Sequence, residues 1–331
     1  GKRIISASPD GKIKAHLIDS GKEIWVADIK DFFEEQDFSK VLSGNVDILT
    51  SGVEADSKFV FVCSASGHLF ALNQVDGSFG WKASISSESL APPKVDNDLV
   101  VVQTIDGKVA GYGANYGRKK WEYAAKIPPL TLRGTSTPMI YDDIVIAGFS
   151  NGRIAFITRD DGLAAFEQIV GLPEGVSDLE KLVDLDGKMV IENNVLYVTG
   201  YQGKLIAIDL RAGEILWEKE ASSLAGVSFG FGNVYLISVD GKVIAYNGAN
   251  GREVWRVETL LNRQLNAPLV IGSYLAFTDF EGYLHLLAQS DGRFVARKKL
   301  DSRGVGARLL QREGRIYALG NGGNLAVLEI R

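Results

Sequence analysis

Eight glycines return along this 331-residue chain in matched surroundings: Gly11, Gly67, Gly107, Gly152, Gly203, Gly241, Gly282 and Gly323. Successive members are 56, 40, 45, 51, 38, 41 and 41 residues apart. Other positions keep step. Two residues on stand Ile13, Leu69, Val109, Ile154, Leu205, Val243, Leu284 and Leu325, and four residues on stand Ala15, Ala71, Gly111, Phe156, Ala207, Ala245, Leu286 and Val327. Ten residues on comes a second glycine, at Gly21, Gly77, Gly117, Gly162, Gly213, Gly251 and Gly292. Fourteen residues on come Trp25, Trp81, Trp121, Phe166, Trp217, Trp255 and Ala296, so all five tryptophans occupy one repeat position.

Each unit reads as strands. β-Branched runs such as Val195–Thr199 and Asn233–Ile237 precede the first glycine. Pairs such as Asp106-Gly107 and Asp240-Gly241 supply the positive-φ turn of a hairpin. The strand after it alternates, a second turn such as Asp76-Gly77 or Asp291-Gly292 follows, and the Trp strand comes next. One more short strand lies upstream, often opening with Pro, as at Pro138-Met139-Ile140 and Pro268-Leu269-Val270. Four antiparallel strands per repeat of about 40 residues is the period of propeller blades.

The off-alternation residues Leu72, Tyr112, Ile157, Ile208, Tyr246, Leu287 and Leu328 are also apolar. Middle strands buried on both faces favour an all-β, eight-bladed propeller over a sandwich, with each Trp covering the seam to the next blade. The expected domain is a single propeller over residues 1–331. Blade 1 is expected to lack its innermost strand and blade 8 its outermost. An upstream segment supplying both would remove the free edge.

Composition excludes several function classes. Net charge is −5, and no Lys/Arg cluster exceeds short pairs such as Lys119-Lys120, which argues against nucleic acid as a partner. No run approaches 18 apolar residues, so no membrane-spanning helix is expected. The single Cys63 closes the apolar run Phe59–Val62 and reads as a buried, inert thiol. His16, His68 and His285 fall in different blades without metal-binding spacing. The acidic pairs Asp142-Asp143 and Asp160-Asp161 read as turn residues. No catalytic, metal or cofactor site is expected.

Three loops depart from the blade template. One carries the acidic, aromatic insertion Asp31–Phe38, another Pro128–Gly134, and the third runs from Leu172 through Leu182-Val183-Asp184-Leu185-Asp186. Loops leaving fourth strands share one face with the turns between strands two and three. The second and third loops are thus neighbours, and in extended chain Leu130 and Leu132 point one way, as do Asp184 and Asp186. Two leucines, Arg133 and two carboxylates resemble a protein-binding patch, or else a local Arg–Asp pair with inward leucines. Arg263, in the equivalent loop between blades 6 and 7, is a further candidate for that face.

The pattern Ala207-Ile208-Asp209, Gly213, Trp217 resembles the PQQ-type propeller repeat of quinoprotein dehydrogenases. Within that superfamily, Leu130–Gly134, Leu182–Asp186, Gly203–Arg211, Glu281–Leu284 and Asp291–Ala296 resemble the propeller lipoproteins of the outer-membrane β-barrel assembly machinery. That resemblance implies an eight-bladed, non-enzymatic scaffold, monomeric within a hetero-oligomeric complex. It would be tethered at the periplasmic face of the outer membrane by an N-terminal lipidated Cys that has no counterpart here. It implies binding to the periplasmic POTRA domains of the barrel protein BamA, through Leu130, Leu132, Arg133, Asp184 and Asp186, and assistance to folding barrel proteins. One rival, a PQQ-dependent dehydrogenase, is disfavoured by the lone Cys and the short chain; the other is a propeller scaffold for another periplasmic partner.

Overall fold

The computed structural model describes residues 3–33, 49–128, 136–171, 183–185 and 187–330. Most of the Asp31–Phe38 insertion lies outside them. Among the described residues thirty strands form eight antiparallel sheets, one per glycine repeat, giving an eight-bladed β-propeller. Blade 1 holds β1 (Arg3–Ala7), β2 (Lys12–Leu17) and β3 (Glu23–Asp28), followed by a short 3-10 turn over Ile29–Phe32. Blade 2 holds β4 (Glu54–Ala55), β5 (Phe59–Ser64), β6 (His68–Asn73) and β7 (Phe79–Ser84). Blade 3 holds β8 (Lys94–Asp96), β9 (Leu99–Gln103), β10 (Lys108–Gly113) and β11 (Lys119–Ala124). Blade 4 holds β12 (Met139–Tyr141), β13 (Ile144–Gly148), β14 (Arg153–Thr158) and β15 (Ala164–Ile169). These four form one compact unit, Gly1–Ile169.

The second unit, Val170–Arg331, repeats the scheme. Blade 5 holds β16 (Val190–Glu192), β17 (Val195–Val198), β18 (Lys204–Asp209) and β19 (Glu214–Glu220). Blade 6 holds β20 (Val227–Gly230), β21 (Asn233–Ile237), β22 (Val243–Asn247) and β23 (Glu253–Val257). Blade 7 holds β24 (Leu269–Ile271), β25 (Tyr274–Thr278), β26 (Tyr283–Ala288) and β27 (Phe294–Lys299), and blade 8 holds β28 (Leu310–Arg312), β29 (Arg315–Leu319) and β30 (Leu325–Glu329). Six sheets have four strands and the first and last have three among the described residues.

The core is a series of seams between blades within each unit. Val60, Val62 and Phe70 of blade 2 pack against Ile13 and Trp25 of blade 1, and Leu275 and Phe277 of blade 7 pack against Tyr235 and Trp255 of blade 6. Strand β5 is buried at every residue, so a middle strand needs an apolar side chain on both faces.

The tryptophans act across these seams. Each indole Nε1–H donates to a backbone carbonyl of the next blade: Trp25 to Gln74 at 3.1 Å, Trp81 to Ala114 at 2.9 Å, Trp121 to Arg159 at 2.7 Å, Trp217 to Gly248 at 2.7 Å and Trp255 to Gln289 at 2.8 Å. The second repeat glycine of that next blade lies on the indole face, and all seven such glycines have positive φ.

One device was not visible as a spacing. Seven third-to-fourth strand hairpins carry an irregularity at the same repeat position, as between Ala15 and His16 or between Ala245 and Tyr246. It sets the Trp opposite the residue four after the leading glycine: Ala15↔Trp25, Ala71↔Trp81, Gly111↔Trp121, Ala207↔Trp217 and Ala245↔Trp255. Small faces large. Where the Trp is replaced, the partner grows: Leu286 faces Ala296, and Phe156 stacks on Phe166 at 3.9 Å.

Blade 5 departs from the expected turn. Its leading Gly203 has no positive φ; Gln202 takes that conformation instead, at 49°. The turn is held from outside, by the Ser222 hydroxyl accepting from the Gln202 amide at 3.0 Å.

Candidate partner-binding face

The site expected from sequence divides unevenly. Leu130, Leu132, Arg133 and Asp186 lie outside the described residues. Asp184 and Arg263 are described, both in the second unit.

Asp184 lies in a short extended segment between buried Val183 and Leu185. Its backbone exchanges both hydrogen bonds with Tyr201, at 2.8 and 3.4 Å, forming a bridge beside the irregular blade 5 turn. Gly200 makes room for this approach, since a Cβ there would collide with the Leu185 side chain and the Asp184 carbonyl. The Asp184 side chain is only 2% exposed, so its carboxylate turns inward rather than standing on the rim.

Arg263 follows β23 in the loop leading to β24. Two neighbours, Asn262 and Gln264, hold φ near 60° and 46°, a conformation non-glycine residues adopt at a cost. Leu260 and Leu265 are buried and anchor the loop ends, while Leu261 is exposed. The guanidinium bonds Asp279 through Nε at 2.8 Å and Nη2 at 2.6 Å, and Glu281 through Nη2 at 2.8 Å. It also sits 5.8 Å from the ring centroid of exposed Phe280. These contacts, Glu281 first, raise its pKa further, so Arg263 stays charged. Asp184 and Arg263 do not meet in one ion pair.

Behind Arg263 the network runs into the blade. Asp279 and His285 are fully buried, and Asp279 Oδ2 lies 2.9 Å from His285 Nε2, while Oδ1 accepts from the Tyr283 amide. Among the described residues His285 Nδ1 has no hydrogen-bond partner, and its ring stacks on Phe277 at 5.5 Å. Burial, opposed by Asp279, holds the imidazole pKa below its ordinary value, which favours the neutral ring. For Asp279, burial pushes the pKa up, but bonds from His285, the Tyr283 amide and Arg263 outweigh it and the carboxylate remains ionised.

Sequence reasoning missed Asp279, Phe280 and His285. A signal existed. Blades 3 and 6 open this turn with Thr104 and Ser238, which bond Asp106 and Asp240, whereas blade 7 puts a carboxylate at that first position.

Hydrogen bonds lace the loops of this end together. The Ser223 amide donates to Gly200 at 3.1 Å, Val239 to Ser222 at 3.0 Å, Asn262 to Asp240 at 2.9 Å and Phe280 to Arg263 at 3.2 Å. Leu224, Val239, Leu261 and Phe280 stand exposed along that rim, roughly half accessible each. A rigid rim with apolar side chains and an immobilised arginine can dock a folded partner at low ordering cost. Among the described residues no group of His, Cys, Asp and Glu could hold a metal, and no helix is long and apolar enough to cross a membrane.

Comparison with known proteins gives a consistent result. The family model described as outer membrane protein assembly factor BamB matches residues 9–257 and 239–331. The outer membrane protein assembly factor BamB of Yersinia pestis is 34% identical over 92% of this chain and 76% of its own length. That of Escherichia coli K12 is 30% identical over 95% of this chain and 78% of its own. The crystal structure of BamB from Moraxella catarrhalis superposes with a TM-score of 0.90 at 27% identity, covering 100% of this chain and 94% of that one. A quinohemoprotein alcohol dehydrogenase from Pseudomonas putida HK5 shares the fold alone, with a TM-score of 0.73 at 14% identity over 96% of this chain and 68% of that one.

Proposed function

Because the chain belongs to the family of the outer membrane protein assembly factor BamB, a family named for assembly and not for catalysis, we propose that it is a docking scaffold of the outer-membrane assembly complex. In this reading the chain stands at the periplasmic face of the outer membrane, lipid-anchored in its native form. It binds the POTRA domains of BamA through the loop face that carries Arg263. The observation that carries the reading is the laced rim itself, whose loops are tied by backbone bonds while Leu224, Val239, Leu261 and Phe280 stay exposed.

Leu130, Leu132, Arg133 and Asp186 supply direct contacts to the partner. Asp184, turned inward and bridged to Tyr201, anchors its own short segment against blade 5. Arg263 is spent on Asp279 and Glu281, so it fixes Phe280 rather than reaching across.

The test is calorimetric titration of Arg133→Glu and Phe280→Ser against purified POTRA domains of BamA. An arginine anchor contributes about 2–4 kcal/mol, so Arg133→Glu weakens binding roughly 30-fold or more. Unchanged affinity in a folded Arg133→Glu protein removes that patch from the interface. Unchanged affinity in Phe280→Ser confines the interface to the other loops.

A further inference from the structure

Seven blades have a described fourth strand, and β27 of blade 7 differs from the other six. It carries Arg297, Lys298 and Lys299 and no acidic residue, whereas none of the others carries more than two cations. The chain as a whole is acidic, at −5, so this strip runs against the average. All six residues of β27 are exposed, including Phe294 and Val295.

Among the described residues Lys119 pairs with Glu122, Lys204 with Glu218 and Arg256 with Glu253, but no carboxylate lies within ion-pair distance of Arg297, Lys298 or Lys299. Arg297 and Lys299 instead lie over Tyr283, at 3.7 and 4.4 Å from the ring centroid. Register explains this, since Tyr283 faces Lys299 and His285 faces Arg297 across the pair. The aromatic ring fixes two positive groups on one face of the strand, and Lys298 extends from the other.

We propose that the outer edge of blade 7 docks on an anionic phospholipid surface, with Arg297, Lys298 and Lys299 at the headgroup phosphates and Phe294 and Val295 at the interface beneath. A lipid plane meets side chains from both faces of an edge strand at once, because long Arg and Lys stems bend toward it. An acidic strand added to the edge suits the site less well. The irregularity between Leu286 and Leu287 leaves Val295 without a cross-strand partner and twists the edge.

The experiment is sedimentation of the chain with vesicles of equal parts phosphatidylglycerol and phosphatidylcholine, and with phosphatidylcholine alone, at low and high salt. The chain binds the anionic vesicles only, and salt releases it. The triple variant Arg297→Gln, Lys298→Gln, Lys299→Gln binds on the order of 100-fold more weakly, and Lys298→Gln alone roughly 5-fold. Lys119→Gln with Lys120→Gln, which removes two cations from β11, keeps wild-type binding. Each variant is first matched to the wild type by thermal melting; Lys298, which touches no ring or carboxylate, serves if the triple variant does not fold. Failure of the wild type to sediment overturns the proposal, as does a folded triple variant that binds normally. Capture of a Glu-rich peptide by the strip without vesicle binding also overturns it. Vesicles contain no POTRA domain, so this outcome and that of the partner titration are read separately.

Discussion

Gly77 of blade 2 lies against the indole of Trp25 in blade 1, where a Cβ would stand 2.6 Å from Cε3. Its φ of 76° adds a second constraint, since side chains rarely adopt that conformation. Gly21 shares the repeat position and the positive φ, but nothing lies within 4 Å of its Cβ direction. Gly77→Ala is expected to cost about 2–4 kcal/mol and Gly21→Ala about 1–2 kcal/mol. Urea unfolding followed by tryptophan fluorescence gives both, and equal losses would show that the indole contact contributes nothing.

Trp255 separates the hydrogen bond from the packing. Trp255→Phe keeps much of the ring but removes the shorter of two bonds to the Gln289 carbonyl, leaving the Tyr235 hydroxyl at 3.4 Å, at a cost of about 0.5–1.5 kcal/mol. Trp255→Ala also empties the seam against Tyr235 and Leu275, raising the cost to about 3–5 kcal/mol. If Trp255→Phe melts like the wild type, the Nε1–H bond is not a stabilising element.

Much of this was legible because the repeat is enforced by sterics. A glycine at a positive-φ turn and a Trp on a seam each tolerate few substitutes, so they recur at fixed offsets, as Gly251 and Trp217 do. The irregularity after Ala15, Ala71 and their equivalents left no such mark, because it needs no particular residue on the bulged strand; Ile24, Gly80 and Lys120 all pass it. The face was harder still. Arg263 was visible as a loop cation, but Asp279 and His285 are distant in sequence and meet it only after β25 and β26 pair.

Acid is expected to weaken the second unit in two steps of the same sign. His285 has a depressed pKa, so its contribution is full above the unfolded value near 6.5 and falls as pH drops below it. Asp279 is held below the ordinary carboxylate range, so its contribution goes only at more acid pH. His285→Gln keeps a donor toward Asp279 but cannot titrate. Thermal midpoints from pH about 7 down to about 5 are expected to slope in the wild type and flatten in the variant. Parallel slopes would assign the loss to other groups.

Cys63 is expected to be chemically silent in the folded chain. Burial pushes its thiol up to about 12, despite hydrogen bonds with Ser51 and Ser89 that act the other way. A maleimide at mildly alkaline pH should label it only after unfolding in urea. Rapid labelling of the native chain would mean that blade 2 opens on the labelling timescale.

The tryptophan bonds end on main-chain oxygens, at Gln74, Ala114, Arg159, Gly248 and Gln289. A lock read through the backbone is indifferent to the side chain that bears it. Two of those positions do other work as well: Arg159 reaches Asp96 at 2.6 Å, and Gln289 bonds the Gly272 carbonyl at 2.7 Å. At Arg159 and Gln289 one residue therefore serves the blade joint through its backbone and a second contact through its side chain.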